Sequence, residues 1–146
     1  MPYIKAYLHI VWSTKNRIPY LSTLALRKAV WKHIYHNAKH KEIFIDVING
    51  YNDHCHCLIS LKPDQTIRKT MQLLKGESSF WINKNNLLYG TGYSYFEWQD
   101  EYYAVAVSPE SIPIVRQYIL DQEAHHSKNS FHEELKEFIL QKFSSI

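Results

Sequence analysis

Apolar positions change their spacing several times along this chain, and each change predicts an element. Residues 3–13, YIKAYLHIVWS, are rich in β-branched and aromatic side chains and predict a strand. A polar link with a proline, TKNRIPYLST, follows. Leu26, Val30, Ile34 and Ala38 then recur every four residues, with Lys and His elsewhere, which predicts a helix over 23–41. IFIDVING (43–50) predicts a second strand and HCHCLISL (54–61) a third, joined by a tight turn at Asn52-Asp53, so the pair reads as a hairpin. A long helix opens at Pro63-Asp64, with Ile67, Met71, Leu74, Ser78 and Trp81 on one stripe. NNLLYGTGYS (85–94), with Gly90 and Gly92, predicts a loop, and YFEWQDEYYAVAV (95–107) a fourth strand. Ser108 to Ser111, with Pro109 and Pro113, marks a helix start. That helix is predicted to run to about His126, and a short one near 131–143 closes the chain.

The order β-α-β-β-α-β-α-α gives an α+β class whose first six elements follow the ferredoxin-like split βαβ pattern. The expected architecture is an antiparallel four-stranded sheet with two helices on one face and the extra C-terminal helices on the other. That superfold hosts many functions, so chemistry must come from particular side chains.

Composition narrows the classes. The 146 residues suit one domain, 1–146, and 45% hydrophobic residues can bury a core. Repeats, low-complexity tracts and linkers are absent from the sequence. No run approaches a membrane span, and MPYIKAYLHIVW lacks the features of a signal peptide. With only two cysteines, two residues apart, a secreted disulfide scaffold is disfavoured and the cytoplasm is the expected compartment. A net charge of +3 and a pI near 8.8 are compatible with a polyanionic partner without requiring one. Eleven Tyr and four Trp supply rings for packing or for stacking on bases.

The stretch YNDHCHCLIS (51–60) places two histidines alternately with two cysteines. On a strand, successive side chains point to opposite faces, so His54 and His56 share one face and Cys55 and Cys57 the other. The four cannot converge on one zinc ion. Residues i and i+2 of a strand lie roughly 6–7 Å apart, a poor disulfide geometry, so the cysteines read as small apolar residues facing core. The histidines are spaced to reach one metal in an open site, with a third ligand elsewhere. On this spacing alone a bland reading stands ahead of it: His54 caps a turn and His56 is a satisfied polar group.

A second constellation lies in VRQYILDQEAHH (115–126). Tyr118 and Gln122 are four apart, so on a helix only about 40° separates them and they point the same way. A phenol and a carboxamide on one face can serve one site, or Tyr118 can extend the Ile114 stripe into core with Gln122 on the surface. His125-His126 follow, either orienting a ligand or forming an exposed helix end. His33, His36 and His40 share a helical face that reads as solvated. His9 reads as a packed sheet residue. Asp53 either bonds a ligand imidazole or simply forms the turn.

Together these stretches resemble the single-tyrosine HUH transposases of small bacterial insertion sequences, whose relatives include the transposases associated with repetitive extragenic palindromes. His54-Cys55-His56 resembles the His-hydrophobic-His motif within a D-H-x-H-x-L-I-S run. HIVWSTKNR (9–17) resembles the family's first strand and its exit, QLLKGESS (72–79) its second helix, and the Tyr118, Gln122, His125 and His126 pattern its nucleophile helix. The resemblance spans nearly the whole chain; cysteine at the middle and following positions of the His motif is a mild departure from larger aliphatics.

The resemblance implies that His54, His56 and Gln122 bind a divalent metal, Mg²⁺ or Mn²⁺, and that Tyr118 is the nucleophile. It implies cleavage and rejoining of single-stranded DNA at insertion-sequence ends through a 5′-phosphotyrosine, with recognition of subterminal hairpins. It also implies a homodimer with active sites shared in trans, for which strand 95–107 is the expected edge. Lys15, Arg17, Arg68, Lys69, Lys75 and Lys84 are the candidates for phosphate contact, with Asn16 beside them, and Trp81, Tyr93 and Trp98 for base stacking. Against each stands a solvated or core role. The rival readings are another HUH nickase of the replication-initiator or relaxase type, a domesticated non-catalytic nucleic-acid-binding module, and a small metal-dependent hydrolase with a structural Tyr118.

Overall fold

A computed structural model of the chain describes residues 4–126. Its elements run β1 (Tyr7–Thr14), α1 (Leu24–His40), β2 (Phe44–Tyr51), β3 (His54–Ser60), α2 (Ile67–Lys84), β4 (Trp98–Val107), α3 (Ile112–Leu120) and α4 (Gln122–His125). The four strands form one antiparallel sheet in the order β2-β3-β1-β4, the ferredoxin-like arrangement expected from the sequence. The helix expected near 131–143 lies outside the described residues.

Two boundaries move for identifiable reasons. The second helix begins at Ile67 rather than at Pro63-Asp64, because the Thr66 hydroxyl accepts from the Lys69 amide at 3.1 Å and caps the first turn there. Strand β4 begins at Trp98 rather than at Tyr95. The Asn83 amide holds both backbone groups of Phe96, accepting from its N–H at 2.8 Å and donating to its carbonyl at 2.9 Å, so that segment bonds to a helix side chain instead of a neighbouring strand.

The sheet separates two layers. On one face Ile10, Trp12, Cys55, Cys57 and Ile59 pack against Val30, Trp31 and Ile34 of α1 and Met71, Leu74 and Ile82 of α2. Each fully buried aliphatic side chain contributes roughly 1.5–3 kcal/mol. On the other face Val47, Leu58 and Val107 meet Val115 and Ile119 of α3, with Tyr118 against them. The C-terminal helix therefore covers the second face as the element order predicts.

Strand β2 carries a bulge. Its register against β3 shifts between Ile45 and Val47, leaving Asp46 as the extra residue. The side-chain alternation inverts there: Ile45 faces α1, whereas Val47 joins the α3 cluster. Further along, Asn49 donates to the Leu120 carbonyl at 3.0 Å, and the Tyr51 ring lies 4.7 Å below the Arg27 guanidinium.

Gly50 sits where β2, β3 and α1 come closest. A Cβ there would overlap the His54 carbonyl oxygen and lie 2.9 Å from the Trp31 ring. Gly50→Ala is therefore expected to cost roughly 1–3 kcal/mol by overpacking. A fall in thermal midpoint would register it; an unchanged midpoint would show that the strands and α1 do not approach this closely.

Candidate active site

Strand alternation sets the site. His54 and His56 lie on the α3 face of β3, 0% and 1% exposed, while Cys55 and Cys57 are buried in the opposite core. Burial pushes both thiols well above the ordinary cysteine range, which keeps them protonated and inert as metal ligands. The two imidazoles are neighbours, ring centroids 5.2 Å apart and nearly perpendicular.

Each imidazole has its Nδ1 engaged. Asp53, in the β2–β3 turn, accepts from His54 Nδ1–H at 2.8 Å. His56 Nδ1 lies 2.9 Å from Nε2 of His9 on β1, within the buried layer. Ligating histidines commonly have one ring nitrogen held in this way by an outer partner, which fixes the ring and directs the other nitrogen.

The helix expected to run through to His126 is interrupted. Helix α3 ends at Leu120, Asp121 takes φ −90° and ψ 14°, and Gln122 opens α4. At the break, Gln122 Nε2 donates to the Tyr118 carbonyl at 3.3 Å, which turns Oε1 toward His54 Nε2 at 3.2 Å. Gln122 is fully buried. With Nδ1–H donated to Asp53, a neutral His54 presents a lone pair to the lone pairs of Gln122 Oε1. A cation could be shared between the two. The donor set of two imidazoles and one amide oxygen thus fits a divalent cation and carries no charge of its own. Among the described residues no three His, Cys, Asp or Glu side chains form a group that could hold a metal ion.

Tyr118 closes the cluster. Its ring lies 5.6 Å from His56, 6.0 Å from His9 and 4.8 Å from His125, all within one chain. His126 packs 4.4 Å from His54 and stacks on Tyr51 at 5.2 Å. The paired histidines after α3 therefore both line the site.

Three polar contacts dock the tyrosine-bearing segment on the sheet. Arg116 grips Asp46 with two bonds, Nε to Oδ1 at 2.7 Å and Nη2 to Oδ2 at 2.8 Å, so the bulge residue anchors α3. Asn49 holds the Leu120 carbonyl at the helix end. Arg27 of α1 grips Glu123 with bonds of 2.8 and 3.0 Å and donates to the Leu21 carbonyl at 2.8 Å. Arg27 is buried, so its charge is compensated within the fold.

The proposed phosphate contacts divide into two groups. Lys15 and Arg17 lie in a 3₁₀ turn directly after β1, where the Thr14 amide bonds the Asp53 carbonyl, so they stand at the His54 end of the sheet. Lys15 pairs there with Glu97 at 3.1 Å. Arg68, Lys69, Lys75 and Lys84 belong to α2, which packs on the opposite face from the histidines. Arg68 and Lys75 line a groove of about 610 Å³ between α2 and β4. Lys75 donates to the Gln99 and Asp100 carbonyls, the latter at 2.8 Å, and burial lowers its amine below the ordinary range. Lys84 lies 5.6 Å over the Phe80 ring.

The aromatics named for stacking are engaged elsewhere. Trp98 is buried and bonds Ser78, Trp81 stacks on His33 at 3.8 Å, and Tyr93 packs edge-on against Tyr20. His33 also meets Glu77 at 2.7 Å, so it joins α1 to α2 rather than lying on a purely solvated face. Phe80, Tyr89 and Tyr95 are the exposed rings of this region, at 64%, 84% and 60%.

His9 and Arg27 are the site contributors that sequence reasoning missed. His9 reads as a packed residue because its partner is distant in sequence. Only the β1–β3 register, with Val11 opposite His56, makes His9 the diagonal neighbour of that imidazole.

The family model described as "Transposase IS200 like" matches residues 3–122. Two solved structures share the fold. A candidate transposase from Deinococcus radiodurans R1 is 21% identical with a TM-score of 0.64, the match covering 84% of this chain and 95% of that one. A REP-associated tyrosine transposase bound to a REP hairpin is 18% identical with a TM-score of 0.57, covering 86% of this chain and 72% of that one. No curated protein matches the chain. Among the described residues no helix is long and apolar enough to cross a membrane.

Proposed function

The chain belongs to the IS200-like transposase family, and from that premise we propose that it cuts and rejoins single-stranded DNA through a covalent bond to Tyr118, with residues 1–146 acting as one domain. The observation that carries this reading is the convergence, on one sheet face, of the Tyr118 ring 5.6 Å from His56 and the Gln122 amide oxygen 3.2 Å from His54.

His54, His56 and Gln122 would hold the divalent cation, Mg²⁺ or Mn²⁺. When bound, that ion supplies Lewis-acid polarisation of the scissile phosphate and offsets charge on the departing oxygen. The protein's own groups do the rest. Tyr118 Oη forms a bond to phosphorus as the bond to the 3′ oxygen breaks, the phenolic proton is lost to solvent, and the 3′ oxygen takes up a proton. The products are a 5′-phosphotyrosine and a free 3′-OH. Attack by another strand's 3′-OH reverses the step, releases the phenol and joins the DNA. Bond number is conserved throughout, so no separate energy source is required. Asp53 and the Tyr118 carbonyl orient His54 and Gln122 respectively.

The DNA partner in this reading is single-stranded with subterminal hairpins, in line with the hairpin bound by the REP-associated relative. Lys15 and Arg17, at the histidine end of the sheet, are the phosphate contacts nearest the chemistry. The α2 cations would act on DNA that reaches the other face.

The test is covalent capture. An oligonucleotide spanning an element end, incubated with the protein and Mn²⁺, is expected to give an adduct stable in denaturing detergent, with a free 3′-OH on the upstream product. A domesticated binding module would shift the same oligonucleotide without an adduct, and a hydrolase would give cleavage without one.

The proposal includes a homodimer paired through β4, a sheet edge in this chain. Tyr118 already lies beside its own chain's histidines, so sharing in trans requires the segment to leave Asp46, Asn49 and Arg27. Mixing Tyr118→Phe and His56→Ala chains is expected to restore adduct formation if the segments exchange. A dead mixture of two folded variants would leave the site working in cis.

A further inference from the structure

We propose that His9 is a positioning residue: its Nε2 accepts a hydrogen bond from His56 Nδ1–H and so presents His56 Nε2 as the ligating nitrogen. The inference rests on the reading of His56 as a cation ligand.

Its basis is the geometry around β1. His9 is 1% exposed, its Nε2 lies 2.9 Å from His56 Nδ1, and the two rings are 5.1 Å apart. A strand neighbour two rungs away fixes this distance, because Val11 stands opposite His56 and His9 opposite Leu58. The contact has only two possible directions among neutral rings. Either His56 donates from Nδ1, which leaves a lone pair on Nε2, or His9 donates, which puts the His56 proton on Nε2 and blocks it as a ligand. Only the first direction serves a cation site.

The two histidines of the motif would then be oriented by different means. Asp53, a carboxylate, holds His54 and polarises it; His9, a neutral imidazole, holds His56 and fixes its tautomer without adding negative charge. A cation held there would keep its positive charge for a phosphate oxygen, since His9 brings none of the negative charge that Asp53 does. His9 also packs edge-on to Tyr118, with ring centroids 6.0 Å apart, so one side chain sets the relation between the ligand ring and the nucleophile ring.

Two measurements test this. In the metal-free wild-type protein at about pH 8, above the ordinary imidazole pKa of about 6.5, long-range ¹⁵N–¹H spectra should show His56 as the Nδ1–H tautomer. An Nε2–H tautomer overturns the proposal with no variant needed. Mn²⁺ titration followed by the EPR signal of the free ion should then show His9→Leu binding about 10–100-fold more weakly than wild type. His9→Gln, whose amide oxygen can accept the same hydrogen bond, should recover most of that loss; a purely space-filling role would not distinguish Gln from Leu in this way. His56→Ala provides the control. If it binds Mn²⁺ as wild type does, the ligand reading itself fails. If it loses Mn²⁺ while His9→Leu retains wild-type affinity, the ligand reading stands and the role of His9 is overturned.

Discussion

Tyr118→Phe is expected to eliminate the covalent protein–DNA adduct and to lower strand cleavage by roughly 10³-fold or more, the scale of losing a nucleophile outright. The substitution removes a single oxygen. The ring remains to pack on His56, His9 and His125, and the helix that carries it stays fixed by Arg116–Asp46 and Arg27–Glu123. Stability should change by no more than about 1 kcal/mol, the net worth of one hydrogen bond. DNA affinity should stay close to wild type, because the residues proposed to contact phosphate lie elsewhere. The measurements are adduct yield on a denaturing gel, thermal midpoint and equilibrium binding to one hairpin-bearing oligonucleotide. An adduct that survives in Tyr118→Phe would assign the nucleophile to another residue and end the proposed mechanism. Free tyrosine has a pKa of about 10, so near pH 7 only about one phenol in a thousand is ionised. The surrounding site must therefore supply activation, which leads to the second expectation.

His54→Ala is expected to abolish divalent-ion binding and reduce cleavage by more than about 100-fold, beyond the loss typical of removing an outer partner of a metal ligand. His54 is the node of the site: Asp53 bonds its Nδ1, Gln122 faces its Nε2, and His126 packs on its ring. Removing it empties a fully buried position and leaves the Gln122 oxygen without the ring it faces. A stability loss of roughly 1–3 kcal/mol should accompany the functional one. Calorimetric Mn²⁺ titration separates the two effects, since cleavage assays at temperatures well below the melting transition report the folded variant alone. Wild-type cleavage by folded His54→Ala would exclude the histidine pair from the chemistry. Chelation of the wild-type protein with EDTA should reproduce the catalytic loss without the fall in thermal midpoint.

Much of this was legible in the residues. The period-two spacing of His54 and His56 against Cys55 and Cys57 determines which pair meets the core, and the folded chain obeys it. The four-residue stripe of α1 and the element order lead to the sheet topology. Tyr118 and Gln122 do share a site, though not on one unbroken helix. The backbone turns at Asp121, and the contact is preserved because the Gln122 side chain bonds the Tyr118 carbonyl.

What stayed hidden depends on long-range pairing. His9 is separated from His56 by 47 positions, and Arg27 from Glu123 by 96, so neither contact leaves a local pattern. The basic residues of α2 look like one surface in sequence, yet the sheet lies between them and the histidines. Trp81, Tyr93 and Trp98 could not be told from stacking residues until their partners His33, Tyr20 and Ser78 were placed beside them.

The surplus residue at Asp46 makes an irregularity of the second strand into a mooring for the segment that bears Tyr118. Excising it would leave Ile45 opposite Ile59 and Val47 opposite Leu58 in unbroken alternation, so every other side chain of the strand would keep its face. What would go is the carboxylate that Arg116 grips, and with it one of the three polar contacts that seat the tyrosine-bearing segment. Any effort to graft the histidine motif onto another scaffold must supply such a hold on the neighbouring helix along with the residues themselves.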